Sequence, residues 1–450
     1  PILLAFGLAV VPWPAAAENL LVPQQHATIA AALAASQPGD KVVVQAGVYL
    51  EGDLALVSGV TLLGAGDAPE DVVIDAGGSC RALHASHLPL PVNVVNLTIK
   101  GGRAQGACSI DGSGAGLLAR GGETNLLRVR FVGNEAQASG GAVRAMQGAL
   151  TLVDCVLTAN RAGAGGGAVE ASYGARLEVR DSAFHLNQAA WGGALAVRGD
   201  ATAEVQRSTL SFNTSLQYPA LGGALHVDHG ARADLAFCSL VDNTALFGGG
   251  AAVATEGVLT LGNCTVRRNE GVYDGGGLYV KESDPVLDHT VVAGNVGRAV
   301  RCASGGRVAV LAACDLWGNL GGDWVGPIAA QRNDAGNFSD DPRFCSADEQ
   351  ALREDSPCLA ENNDVGLVGA GTLGCSPAAP PDHAETAEAA AVVALEGEPL
   401  AITPNPFNPR TQVSFLVAEP RHVRLSVVDL RGRVVVELVA GRHERRTVFA

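Results

Sequence analysis

The chain reads as an all-β protein: a right-handed parallel β-helix wound from three sheets with about 26 residues per coil, preceded by a capping helix and followed by a linker and a partial β-sandwich. Three observations predict this. An asparagine closing a short apolar run recurs at Asn134, Asn160, Asn187, Asn213, Asn243, Asn269, Asn295 and Asn319, in steps of 26, 27, 26, 30, 26, 26 and 24 residues. A glycine pair follows each of the first six asparagines, at Gly140-Gly141, Gly166-Gly167, Gly192-Gly193, Gly222-Gly223, Gly249-Gly250 and Gly276-Gly277. The composition agrees, because 57 glycines against only 11 Phe, 5 Tyr and 4 Trp in 450 residues describe a repetitive core of small side chains. Collagen lacks support, since glycine has no period of three, and 47% hydrophobic content is too high for a disordered chain.

Counting back from each asparagine sets the strands. Three residues before it every unit is apolar (Phe131, Leu157, Phe184, Leu210, Leu240, Val266, Val292, Leu316), and eight before it every unit is Leu or Val. Five before it the residue is small, as at Cys155, Ser182, Ser208, Cys238, Cys264 and Cys314. Period two means strands with one face buried, and the break in alternation between these positions is a corner. A third strand follows each glycine pair. Like residues of such coils stack one strand spacing apart, about 4.8 Å, and the right hand is that of parallel crossovers.

Each recurring residue has a physical reason. Paired glycines suit a corner that needs positive φ and close backbone approach. Asparagine at the other corner tolerates the left-handed region and bonds to its stacked neighbours through its amide, so the eight read as a structural ladder. The stacked cysteines read as buried thiols; parallel Cβ vectors one strand apart fit a Cys238 to Cys264 disulfide poorly.

Residues 1–17 (PILLAFGLAVVPWPAAA) look like the end of a secretory signal peptide, and the chain reads as truncated before them. Residues 18–40 hold an alanine-rich amphipathic helix and a Pro38-Gly39-Asp40 turn; residues 41–325 form the β-helix and 326–376 its C-terminal cap. A Pro/Ala/Glu linker covers 377–400. The remaining 401–450 is a partial immunoglobulin-like domain. A net charge of -15 argues against a nucleic-acid partner or an anionic membrane surface, and no segment reads as a membrane span.

The alternating GGA[VL] and FxxN marks, as in Phe131 to Asn134 and Phe184 to Asn187, resemble the repeats of polymorphic outer-membrane proteins within the pectin-lyase-like β-helix superfamily, over roughly residues 125–320. That resemblance suggests an adhesin-like surface role. The helix with Gly47-Val48-Tyr49-Leu50-Glu51 is similar to the start of many such β-helices. Asp341 to Cys375 resembles the closing segment of secreted bacterial β-helix proteins; within it Cys345 and Cys358 are the candidate disulfide, which leaves Cys375 without an obvious partner. Pro404-Asn405-Pro406-Phe407-Asn408-Pro409 and the later strands resemble the sorting domains of type IX secretion and related flagellar-hook-cap modules, which implies secretion machinery as a partner and a bacterial extracellular location.

The expected function is a secreted or surface β-helix scaffold for adhesion or carbohydrate binding. The alternatives are a polysaccharide lyase or glycoside hydrolase acting on acidic glycans, and a structural surface-layer element. An ionisable column on the strand after the glycine pair, Arg144, Glu170, Arg198, His226 with Asp228, and Tyr279 with Lys281, is the catalytic candidate; the competing reading is a solvated face of paired charges. Four aromatics in one turn, Trp191, Tyr218, Phe247 and Tyr273, are the glycan-stacking candidate, set against a structural stack that fills a wide corner. No metal site or cofactor is expected; Asp111, Asp274 and Asp340 with Asp341 could assist Ca²⁺, yet no loop supplies the dense ligand spacing of a calcium motif.

Overall fold

The computed structural model describes residues 17–106, 111–303, 307–346 and 351–375, and the backbones of strands at 401–403, 412–415, 421–428, 434–443 and 447–449. The expected leader, the linker and the PNPFNP string lie outside the described residues. Residues 1–377 and 378–450 form two separate compact units.

Apolar residues at alternate positions give short strands that cannot bury their faces alone, so each coil lies on the next. The result is a right-handed parallel β-helix. Sheet 1 contains Val169–Ser172, Leu195–Arg198, Leu225–Asp228, Ala251–Ala254 and Leu278–Lys281, paired in parallel and in register from coil to coil. Sheet 2 contains Arg176–Arg180, Thr202–Gln206, Arg232–Ala236 and Val258–Gly262. Sheet 3 contains Val156–Thr158, Ala183–His185, Thr209–Ser211, Ser239–Val241 and Thr265–Arg267. One continuous core of Leu, Val, Ala and Cys fills the interior, and Phe131 and Phe184 are its largest fully buried side chains.

The ladder of asparagines runs unbroken from Asn134 to Asn319. Each Nδ2 donates to the Oδ1 of the next asparagine at 2.7 to 3.0 Å, and that same oxygen also accepts from the backbone N–H of the first residue, as in Asn213 to Asn243. The ladder ends on Asp323, which accepts from Asn319 Nδ2 at 2.6 Å. The left-handed residue of this corner is the preceding one (Ala159, Leu186, Phe212, Asp242, Arg268), so the asparagines are needed for their amides and not for their backbone freedom. At the opposite corner both glycines face backbone that a Cβ would meet, Gly193 at the Gly223 carbonyl oxygen at 2.3 Å, and Gly192 is also held at φ +57. Cys155, Cys238, Cys264 and Cys314 are buried free thiols.

Three expectations need correction. The N-terminal helix covers only Ile29–Ala35, because Asn19–Val22 is already a strand paired with Lys41–Val44. Its Ile29, Ala32 and Leu33 enter the core, and both carboxylate oxygens of Glu51 accept from the backbone N–H groups of Ile29 and Ala30 at 2.9 Å, which gives the glutamate of the Gly47–Glu51 element a capping role. Second, the disulfide joins Cys345 to Cys375, while Cys358 is free and fully buried. The pairing of Leu352–Arg353 with Leu373–Cys375 brings Cys375 across, and Cys358 is drawn into a small core with Leu352, Leu359 and Val368, its Sγ 3.4 Å from Asp315 Oδ2. Third, 326–375 does more than close the end. Ile328 of the short 3-10 helix Gly326–Gln331 plugs the core, but the segment then doubles back over the outer face of sheet 3, where Gly369 N–H donates to His289 O and Asn263 Nδ2 to Leu367 O.

In the second unit, Ala401–Thr403, Gln412–Phe415 and Thr447–Phe449 form one antiparallel sheet and Arg421–Val428 pairs with Val434–His443 in another.

Candidate functional site

Sheet 1 turns two rows of side chains outward. Register places Arg144, Glu170, Ala196, His226, Ala252 and Tyr279 in the first row, and Met146, Ser172, Arg198, Asp228, Ala254 and Lys281 in the second. The corner residues that follow form a third row, in which Tyr173, Gly199 and His229 share the left-handed conformation (φ 56, 56 and 53). One coil is therefore pared down. Ala196 and Gly199 stand where the coil before has Glu170 and Tyr173 and the coil after has His226 and His229. The outcome is a cleft of about 270 Å³ whose wall includes Arg144, Glu170, Tyr173, Trp191, Arg198 and His229.

Its charged groups are pre-set. Arg144 Nη2 lies 3.2 Å from Glu170 Oε1 and Arg144 Nη1 donates to Ser113 Oγ at 2.6 Å, with both side chains nearly buried. Glu170 Oε2 and Arg144 Nε are buried without a hydrogen-bond partner among the described residues. Asp228, 6% exposed, accepts a hydrogen bond from Arg198 Nε at 2.8 Å and has His226 Nε2 at 3.1 Å and His229 Nδ1 at 2.8 Å beside its other oxygen. Burial by itself raises the Asp228 carboxyl, but the hydrogen bonds and charges of His226 and Arg198 outweigh it and hold the group well below the usual carboxylate range. Arg198 also lies over the Trp191 ring, 4.6 Å from its centroid. Its bond to Asp228 uses Nε, so its terminal nitrogens have no hydrogen-bond partner among the described residues.

Of the column expected from the sequence, the structure brings Arg144, Glu170 and Arg198 into this cleft. His226 does not reach it. At 1% exposed, it is a buried support for Asp228. Tyr279 and Lys281 lie beyond Ala252 and Ala254, two strands from His226 and Asp228, and Tyr279 packs on Phe247 with ring centroids 5.1 Å apart.

The four aromatics do not form one row. Backbone bridges run Gly165 to Trp191, to Leu221, to Phe247, so Leu221 occupies the rung between the two rings. Tyr218 sits three residues earlier, in the coil whose asparagine step is 30 residues, and is 91% exposed. A register shift pairs Phe247 with Asp274, which displaces Tyr273 by one residue and leaves its ring 5.4 Å from that of Phe247. Trp191 alone of the four lines the cleft. Tyr173 and His229 were missed in the sequence because each follows the last strand residue and breaks the alternation. The recurrent SYGAR and DHGAR turns at 172–176 and 228–232 were the available signal.

The aspartates considered for Ca²⁺ are dispersed. Asp111 pairs with Arg81, Asp274 with Arg298 and Arg301, and Asp341 accepts from Arg343 N–H. No group of three or more His, Cys, Asp or Glu is placed to hold a metal among the described residues. Nor is any of their helices long and apolar enough to cross a membrane.

No protein-family model matches the chain, and no curated protein is similar to it. Among solved structures it is similar to the PL6 family alginate lyase AlyGC, with 10% identity, a TM-score of 0.40, and 74% of this chain and 55% of that one covered. A mutant of AlyGC gives 12% identity and a TM-score of 0.39 over 81% of this chain and 60% of that one. The chain thus spans no more than 60% of the length of these lyases, and a likeness at this level says nothing about activity.

Proposed function

We propose that this β-helix is an exported carbohydrate-binding protein whose sheet 1 cleft holds a sugar residue of an acidic glycan. The observation that carries the reading is the pared-down coil, which opens a slot one strand wide between walls that bear an aromatic ring, a fixed guanidinium and a buried carboxylate. Those are the elements of sugar recognition: an apolar face for ring C–H groups and convergent planar hydrogen-bonding groups for hydroxyls and carboxylate. Export is supported by the leader-like residues 1–17 and by the resemblance of 401–450 to sorting domains, and an adhesive role by the repeat resemblance.

Calorimetric titration with short oligomers of polymannuronate, polyguluronate and polygalacturonate tests it. Binding of at least one is expected, weakened tenfold or more by Trp191→Ala and by Arg198→Ala, which corresponds to about 1.4 kcal/mol or more. Equal affinity for wild type and both variants would remove the cleft from the account.

A further inference from the structure

We infer that the cleft also performs proton transfer, with His229 removing the proton α to a uronate carboxylate and Tyr173 protonating the departing glycosidic oxygen, so that a bound acidic glycan is cleaved by β-elimination. This rests on the binding reading above and adds a reaction to it.

The two groups are unlike the rest of the cleft. Glu170, His226 and Asp228 are buried, but the side chains of Tyr173 and His229 are more than half exposed, at 59% and 57%. Both stand at left-handed corners, with Gly199 at the corner between them. A gap of two strand spacings is about 9–10 Å. That backbone separation leaves room for one sugar ring between the two side chains, over Gly199.

Orientation of the imidazole is built in. Asp228 Oδ2 lies 2.8 Å from His229 Nδ1, and Asp228 is itself fixed by Arg198 and His226. The carboxylate beside Nδ1 favours a proton there, which leaves the lone pair on Nε2, the nitrogen a base must offer. The Asp228 carboxyl, held below its usual range, stays ionised and keeps that tautomer. Tyr173 O–H has no hydrogen-bond partner among the described residues, and the Arg144 guanidinium lies 6.0 Å from its ring centroid. The terminal nitrogens of Arg198 supply a planar fork for the substrate carboxylate, whose negative charge grows as the α proton leaves.

The step balances without a further reactant. Nε2 takes the α proton, and the C–H electron pair becomes the double bond between the α and β carbons. The bond from the β carbon to the glycosidic oxygen breaks, and that oxygen leaves with the proton of the tyrosine hydroxyl. The products are an unsaturated uronate at one new end and a free hydroxyl at the other; imidazolium and phenolate then exchange protons with water.

The test uses the whole chain with polymannuronate, polyguluronate and polygalacturonate, following the ultraviolet absorbance of the unsaturated product. Wild type is expected to produce it from at least one polymer. His229→Asn, chosen because asparagine tolerates the left-handed corner, and Tyr173→Phe should each lower kcat about 100-fold or more, a far larger change than either makes in the affinity for that polymer's oligomers. Binding without any unsaturated product overturns the catalytic inference and leaves the binding reading intact; no binding and no product overturn both. Turnover unchanged in His229→Asn or in Tyr173→Phe overturns the assignment of that residue.

Discussion

Removing one rung of the asparagine ladder should destabilise several coils at once. In the wild type, Asn213 Oδ1 accepts from both Asn187 N–H and Asn187 Nδ2 at 3.0 Å, and its own Nδ2 donates to Phe184 O at 3.0 Å and to Asn243 Oδ1 at 2.9 Å. Asn213→Ala deletes all four bonds in a site with no solvent access. Asn187 N–H loses its acceptor outright, and Asn187 Nδ2 keeps only the Leu157 carbonyl. At about 1–3 kcal/mol for each buried group left unsatisfied, the expected loss is about 3–4 kcal/mol. Because a solenoid is stabilised by terms between neighbouring coils, the loss should appear locally. Urea unfolding followed by circular dichroism gives its size, and hydrogen exchange should show reduced protection in the coils around 187, 213 and 243. A change below about 1 kcal/mol, the range of ordinary surface substitutions, would refute the reasoning.

Four further outcomes follow from the structure. Burial raises the Asp315 carboxyl to about 8, so the folded state keeps a proton that the unfolded chain has lost; this stabilisation is complete below about pH 4 and gone above about pH 8, and Asp315→Asn should flatten the fall in melting temperature between pH 5 and pH 8, an equally steep fall counting against it. Asp228 has the opposite sign, its contribution being present above about pH 4 and lost on acidification. Alkylation of the denatured, unreduced protein should label Cys358 but neither Cys345 nor Cys375, and Cys375→Ser should cost about 3–4 kcal/mol for a loop of 30 residues; labelled Cys375 would contradict the pairing. Gly199→Asn should fill the slot and weaken oligouronate binding tenfold or more with the melting temperature nearly unchanged, since the nearest atom to an added Cβ is 3.6 Å away; unchanged binding would place the sugar elsewhere.

What could be read in advance divides along physical lines. The period, the three strands and the ladder were legible because stacked coils demand an apolar residue at the position of Phe184 and the same residue at those of Asn187 and Gly193. The candidate site depended on departures from that period. Tyr218 seemed aligned with Trp191, but the longer coil and the register shift at Phe247 move the rings off one row. Alternation along Leu225–Asp228 turned both His226 and Asp228 toward sheet 1's outer side, yet packing buries the first, and the exposed imidazole belongs to His229, past the end of the strand. The cleft itself opens where a side chain is absent at Gly199, a residue that carries no chemical signal on its own. Cysteine pairing was equally hidden, because it depends on 352–375 folding back over sheet 3 and not on closeness in sequence.

The central claim is that a sugar of an acidic glycan sits in the slot beside Gly199, between Tyr173 and His229. A crystal structure of the protein with a bound polyuronate oligomer tests it most directly. The account predicts a pyranose in that slot with its carboxylate on the Arg198 terminal nitrogens and its ring edge against Trp191. An oligomer bound instead at the half-buried Phe247 and exposed Tyr273 rings, with the slot empty, would contradict it.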